Sequence, residues 1–131
     1  MTGAERAVAA ARGAVGVRFR LHGRDPAFGL DCVGLAAIAA QAAGFAGAIP
    51  ADYAIRGGDP SAAIDRAGLM RVAVPQAGDL LLFAAGPVQF HLAVMVPGGI
   101  VHADAMLRRV VERPGDPPWP MLAAWRFGKE D

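Results

Sequence analysis

The chain has 131 residues, of which 54% are hydrophobic and 19% charged, the size and balance of one globular domain with a buried core. We therefore expect residues 1–131 to form a single domain. Thirteen basic residues balance twelve acidic ones to a formal charge of +1, and no basic run is longer than Arg108-Arg109, which argues against a nucleic-acid partner.

The N-terminal region predicts one helix followed by a charged loop. Thr2 and Glu5 have the spacing of a capping box, so we expect a helix from about Gly3 to Val15. Residues 18–29 combine three Arg, two Gly and one Pro, which favours a loop over a regular element.

Two further helices are predicted before the sheet. Residues 31–43 are apolar on nearly every face and stop at Gly44, which is typical of a helix buried in the middle of a domain. Asp59 as N-cap and Pro60 in the first turn predict a short third helix over residues 60–67.

The same half of the chain contains no segment that we expect to enter a membrane. Glu5, Arg6 and Arg12 interrupt the first apolar residues, so a signal peptide is not expected. Residues 33–50 reach the length of a membrane span, but they are mostly Ala and Gly and end at Pro50. We therefore expect no membrane span.

The second half of the chain predicts an antiparallel sheet, because short apolar or alternating runs are separated by Gly and Pro. The predicted strands are Asp79–Ala84, Gln89–Val96, Ile100–Asp104, Leu107–Arg113 and Met121–Phe127. The fold class is therefore α+β, with N-terminal helices packed on a C-terminal antiparallel sheet of about five to six strands.

Two loops beside these strands have local interpretations. Residues 75–79 are expected to turn into a strand, with Asp79 capping or pairing locally. Residues 114–120 contain four prolines and predict a rigid exposed loop, in which Trp119 is a candidate partner contact.

Cys32 is the only cysteine, which excludes an internal disulfide and cysteine-rich zinc sites. It stands in the first turn of the expected buried helix, where the positive helix end lowers the pKa of a thiol and backbone N–H groups offer oxyanion donors. A nucleophile is one interpretation. The other is a small hydrophobe packed in the core.

His91 and His102 lie on two adjacent predicted strands joined by a turn near Pro97. A loop with an even number of residues would place both imidazoles on one face of the sheet, where one ring can orient the other as a general base. Both can equally be ordinary sheet histidines. His22 lies in the charged loop and has no assigned role.

The candidate residues follow one another in the papain-like order of nucleophile, base and third residue. In that order a Cys begins a helix, and a His and then a polar residue follow on successive strands. At these positions the chain resembles the NlpC-type cell-wall peptidases, over roughly residues 4–127. The blocks that carry the resemblance are Phe19–Leu35, Gly78–Phe83, His91–Val94 and Val101–Ala103.

The resemblance implies a papain-like (NlpC-type) domain with Cys32 as nucleophile, His91 as base and His102 as third residue. It implies cleavage of a peptide bond in the stem peptides of peptidoglycan, without a cofactor. Asp31 matches the family position that helps hold the free amine of a stem peptide. Phe19 and Val33 stand, as substrate-binding positions on the substrate side of the cleft, where the family usually has a tyrosine and a serine, so Asp31 would hold that amine alone.

The Asp-Cys-Val-Gly block beginning at Asp31 resembles in particular the members associated with phage tails and gene transfer agents. That branch implies tail-tip proteins as partners and action at the cell wall without a signal peptide. An alternative is a structural tail component with a vestigial site. A metal site formed by His91, His102 and Asp104 is a further alternative, although no fourth ligand is evident.

Overall fold

The computed structural model describes residues 1–49, 59–87 and 89–128. Its helices are α1 (Gly3–Gly13), α2 (Cys32–Ala42) and α3 (Ser61–Arg66). Within these described ranges no helix has the length and apolar character needed to cross a membrane.

In the part of the chain that the structure describes, eight strands accompany the helices and form two sheets. Their bounds are β1 (Arg24–Asp25), β2 (Gly29–Leu30), β3 (Met70–Arg71), β4 (Leu80–Gly86), β5 (Gln89–Val96), β6 (Gly99–Asp104), β7 (Arg109–Pro114) and β8 (Met121–Arg126). β1 and β2 form a small hairpin. The other six form one antiparallel sheet in the order β3-β8-β4-β5-β6-β7. The predicted α+β class and the number of strands in the main sheet are confirmed.

The helix predictions are confirmed apart from their ends. Thr2 and Glu5 form the reciprocal capping box, and α1 ends two residues earlier than Val15, at Gly13. The cap of α3 differs from the prediction, because Pro60 itself is the N-cap residue and makes no side-chain cap bond. Asp59 instead accepts hydrogen bonds from the backbone N–H and the hydroxyl of Ser61.

The strand predictions are confirmed within two residues at each end, and three short strands were missed. β1 and β2 lie inside the segment predicted as a loop, and β3 joins the sheet edge beside β8. Strands of two residues are too short to produce a periodic pattern, which is why the sequence did not reveal them.

The two faces of the main sheet are covered differently. The helix face is buried under α1 and α2 and forms the main core; its sheet residues include Leu82, Leu92, Val94, Val101 and Trp125. The opposite side, here called the outer face, forms a smaller cluster of Leu81, Phe83, Ala93, Ile100 and Ala124. Side chains alternate between these faces along β5, since Leu92 and Val94 face the helices and Ala93 does not.

A buried ion pair ties β8 to the turn that precedes β4. Asp79 is 1% exposed, and its two carboxylate oxygens accept hydrogen bonds from Nε and Nη2 of Arg126 at 3.0 and 2.9 Å. The same carboxylate accepts the backbone N–H of Gln76. Asp79 therefore pairs locally, as expected, and also with an arginine far along the chain. Such a bidentate pair orients two neighbouring strands.

Replacing Asp79 with alanine should destabilise the fold by about 3 kcal/mol, because the Arg126 guanidinium loses its buried counter-ion. Urea denaturation followed by circular dichroism measures the change in the free energy of unfolding. Asp116→Ala in the exposed loop 114–120 is the matched control and should alter that free energy by less than about 0.5 kcal/mol. Equal effects of the two substitutions would contradict a structural role for the ion pair.

Candidate active site

The connection between β5 and β6 sets the relative position of the two candidate histidines. Val96 pairs with Gly99, so the turn consists of Pro97 and Gly98, and Gly98 adopts the positive φ of +83° that a tight turn requires. A loop of two residues keeps the even count that the sequence analysis required. His91 and His102 consequently lie on the same face, the outer face.

The imidazoles of His91 and His102 meet where the two strands have separated. Among the described residues, backbone pairing of β5 with β6 runs only from Val96/Gly99 to Val94/Val101. Both histidines lie beyond the last pair, and there Nε2 of His91 and Nδ1 of His102 are 2.9 Å apart, a hydrogen bond. A side-chain hydrogen bond thus joins the strands after their backbone ladder has ended.

Trp119 covers this histidine pair. Its ring lies edge-on to both imidazoles, with centroid distances of 5.1 Å to His91 and 5.4 Å to His102, and 5.6 Å from Phe83. The predicted loop is largely exposed, as expected, while the side chain of Trp119 turns toward the sheet and is half-buried; its role as a partner contact stays a prediction. Trp119 also lines an open apolar groove of about 540 Å³ on the outer face.

Burial keeps both imidazoles neutral. The pKa of His91 is lowered from 6.5 to about 4, chiefly because burial disfavours the charged ring, with a smaller contribution from His102, while Asp104 opposes the shift. Burial also lowers the pKa of His102. A neutral His102 can accept a proton in the shared hydrogen bond through Nδ1, which leaves Nδ1 of His91 as the atom able to act as a base.

Cys32 occupies the first position of α2, as predicted. It is partly exposed and packs against the core cluster of the helix face. α2 crosses β5 and β6 on that face, whereas the imidazoles contact Trp119 on the other side of the sheet.

The start of α2 supplies backbone donors near this thiol. The N–H of Gly34 donates to the Asp31 side chain and the N–H of Leu35 to the Asp31 carbonyl. The N–H of Val33 has no hydrogen-bond acceptor within the part of the chain that the structure describes. Together with the positive helix end, this group can stabilise an oxyanion.

Asp31 is the side-chain cap of α2 and is only 5% exposed. Its oxygens accept the N–H groups of Gly34 at 2.9 Å and His22 at 2.8 Å, and Nη1 of Arg24 at 2.7 Å. His22, to which the sequence assigned no role, thus contributes through its backbone at a positive φ of 63°. The carboxylate is already well satisfied by groups of the protein itself.

The two positions at which the chain departs from the family are covered to different degrees. Val33 is 1% exposed and lies in the main core, so its side chain offers almost no surface to a ligand. Phe19 is half-buried and packs against the same core. A valine, which has no hydroxyl group, therefore fits the hydrophobic environment of position 33.

No group of three or more His, Cys, Asp and Glu side chains converges as a metal site among residues 1–49, 59–87 and 89–128. Asp104 instead accepts the backbone N–H groups of Met106 and Leu107 in the turn after β6. The site thus consists of a thiol, two coupled imidazoles and backbone donors.

Solved structures, rather than sequences, show what this chain is similar to. No protein-family model and no curated protein sequence matches it. Solved structures do: NlpC1 of Trichomonas vaginalis at 20% identity and an NlpC/P60 family protein of Bacillus cereus at 22%, each with a TM-score of 0.71. The peptidoglycan hydrolase RipB of Mycobacterium tuberculosis is 23% identical with a TM-score of 0.60.

These matches define the class of fold. They cover 96%, 95% and 95% of this chain, and 44%, 40% and 64% of the respective neighbours, so the chain spans less than two thirds of their length. The structural neighbours are NlpC/P60 family proteins, and the predicted papain-like architecture is confirmed.

Replacing Trp119 with alanine should raise the pKa of His91 from about 4 toward 6.5, because water then reaches the ring and the charged form is no longer disfavoured by burial. NMR titration of the imidazole carbon resonances measures this shift. Trp119→Phe keeps an aromatic cover and should leave the pKa of His91 closer to that of the parent. An unchanged titration in Trp119→Ala would contradict the covering role.

Proposed function

We propose that this domain is a cysteine endopeptidase that hydrolyses a peptide bond in the stem peptides of peptidoglycan. The observation that carries the proposal is the hydrogen-bonded pair His91–His102, buried beneath Trp119, in strands over which the helix bearing Cys32 packs. The likeness to a peptidoglycan hydrolase supports the choice of substrate class.

In the first half of the reaction, Nδ1 of His91 accepts the thiol proton of Cys32. The thiolate attacks the carbonyl carbon of the scissile amide, and the oxyanion lies near the N–H of Val33 at the positive end of α2. His91 then returns its proton to the leaving nitrogen. The C–N bond breaks, the amine departs, and a thioester remains on Cys32.

In the second half, His91 accepts a proton from water, and the hydroxide attacks the thioester carbonyl. The C–S bond breaks and the carboxylic acid product leaves, while the proton on His91 restores the thiol. His102 orients the ring throughout, because the Nε2–H of protonated His91 donates to Nδ1 of His102. His102 is thus a positioning residue in this reaction.

We extend the proposal to the setting in which the domain acts. The Asp-Cys-Val-Gly block at Asp31 resembles the branch associated with phage tails and gene transfer agents. Tail-tip proteins would then deliver the domain to the cell wall, where the stem peptide is its substrate.

The test is digestion of purified muropeptides of defined stem length, with products read by mass spectrometry. Cys32→Ala should reduce cleavage to the rate without enzyme, and His91→Gln should lower kcat by about 100- to 10,000-fold, because the general base is lost. His102→Gln should have a smaller effect, since it removes only the partner that orients the base.

His22→Asn is the matched control, because it removes an imidazole outside the site and asparagine tolerates the positive φ at this position. It should cleave at the parental rate. Cleavage by Cys32→Ala at the parental rate would refute the proposed nucleophile, and absence of cleavage by the parent protein on every stem peptide would refute the proposed function.

A further inference from the structure

The guanidinium of Arg24 is held beside the candidate nucleophile by one of its three nitrogens. Nη1 donates to the Gly23 carbonyl at 2.9 Å and to the Asp31 carboxylate at 2.7 Å, which uses both of its N–H groups. Asp31 directly precedes Cys32 in the chain. The side chain is therefore fixed at the start of α2, one residue from the thiol.

The other edge of this guanidinium is left without an acceptor. Within the described residues, neither Nε nor Nη2 of Arg24 donates a hydrogen bond. The side chain is 36% exposed, so this edge can reach solvent while Nη1 stays anchored on the nearly buried Asp31. Nε and Nη2 form the planar fork that binds the two oxygens of a carboxylate in parallel.

Two more arginines lie on the segment that runs beside the β1–β2 hairpin. The backbone of Arg18 and Arg20 pairs with Leu30, the residue opposite Arg24 in the β1–β2 hairpin. A side chain at Gly29 would collide with Cβ of Arg20 at 2.6 Å and meet Cγ of Arg18 at 3.0 Å, so both arginine side chains lie over the hairpin at this glycine. Both are exposed.

The local charge is positive although the whole chain is nearly neutral. The described part of the chain contains no ion pair of Arg18 or Arg20, whereas the charge of Asp31 is engaged by Arg24 and two backbone N–H groups. A ligand that approaches from the hairpin therefore meets the guanidinium groups of Arg18 and Arg20, whose charges no ion pair in the described residues compensates, beside the pair of Arg24 and Asp31. The fork of Arg24 is the one that the structure orients.

We propose that Arg24 binds a carboxylate of the peptide substrate next to the scissile bond, with Arg18 and Arg20 adding to the positive potential. This inference rests on the proposed peptidase function and specifies its substrate class as acidic peptides. The proposal also implies that this site does not select substrates that have a free amine. An ammonium group would have to compete with Arg24 for a carboxylate that is already saturated, so a substrate with a blocked amino end should be cleaved as well as a free one.

The test uses sets of stem peptides that differ in one group. In one arm a side-chain carboxylate is replaced by a carboxamide, and in a second arm an α-carboxylate is replaced by a carboxamide. Comparing the two arms shows which of the two carboxylates Arg24 binds. A third arm compares free and acetylated amino ends. The parent should prefer the carboxylate in one of the first two arms by about ten- to a hundredfold in kcat/KM, the range expected of a charge-assisted hydrogen bond.

Arg24→Gln should abolish this preference, so that the ratio of kcat/KM for the carboxylate peptide to kcat/KM for the carboxamide peptide falls to about one. Circular dichroism of the variant checks that it is folded. Arg24→Lys should retain only part of the preference, because an ammonium keeps the charge but lacks the fork. The control Arg66→Gln removes an exposed arginine of α3 and should keep the full preference.

A preference that persists in Arg24→Gln would overturn the proposal, as would a parent that cleaves only peptides with a free amine. Failure of the peptidase function is a separate result, in which the parent cleaves none of the peptides. Calorimetric titration of the same peptides into Cys32→Ala then tests the carboxylate site by binding alone. Equal affinity for the carboxylate and carboxamide peptides would refute the site.

Discussion

The hydrogen bond between His91 and His102 is the interaction on which the candidate site depends. It forms only because β5 and β6 share a two-residue turn and then part after Val94 and Val101, so that two rings on one face can bridge the gap. Trp119 excludes water from the pair, and the resulting burial keeps both rings neutral. A neutral pair can pass a proton in either direction, which is what a base that later acts as an acid needs.

The first turn of α2 brings together a capping carboxylate, an anchored guanidinium and an available backbone N–H group. Asp31 caps the helix and anchors Arg24, while the N–H of Val33 stays available beside Cys32. Because the carboxylate is saturated and nearly buried, the free edge of the Arg24 guanidinium is the part of this ion pair that is exposed. Asp31, which by resemblance matches an amine-binding aspartate of the family, is held in this chain by Arg24 and two backbone N–H groups.

Local patterns in the sequence predicted most of the helices and strands. They could not predict contacts between segments that are far apart in the chain. The capping box at Thr2, the buried helix after Asp31 and the main strands follow from spacing and periodicity, and turn length placed both histidines on one face. The inward turn of Trp119 and the ion pair of Arg24 depend on how the loop 114–120 and the β1–β2 hairpin fold back. Proline content predicted the stiffness of that loop but not its direction.

The pH dependence of Cys32 alkylation tests the central claim most directly, because it reads the thiol without assuming a substrate. If Cys32 is activated by the helix start and by His91, the rate with iodoacetamide should stay high well below the ordinary thiol pKa of about 8.5, and His91→Gln should move the profile back toward that value. A parental profile centred near 8.5 and unchanged in His91→Gln would contradict the account and leave a folded domain without a working nucleophile.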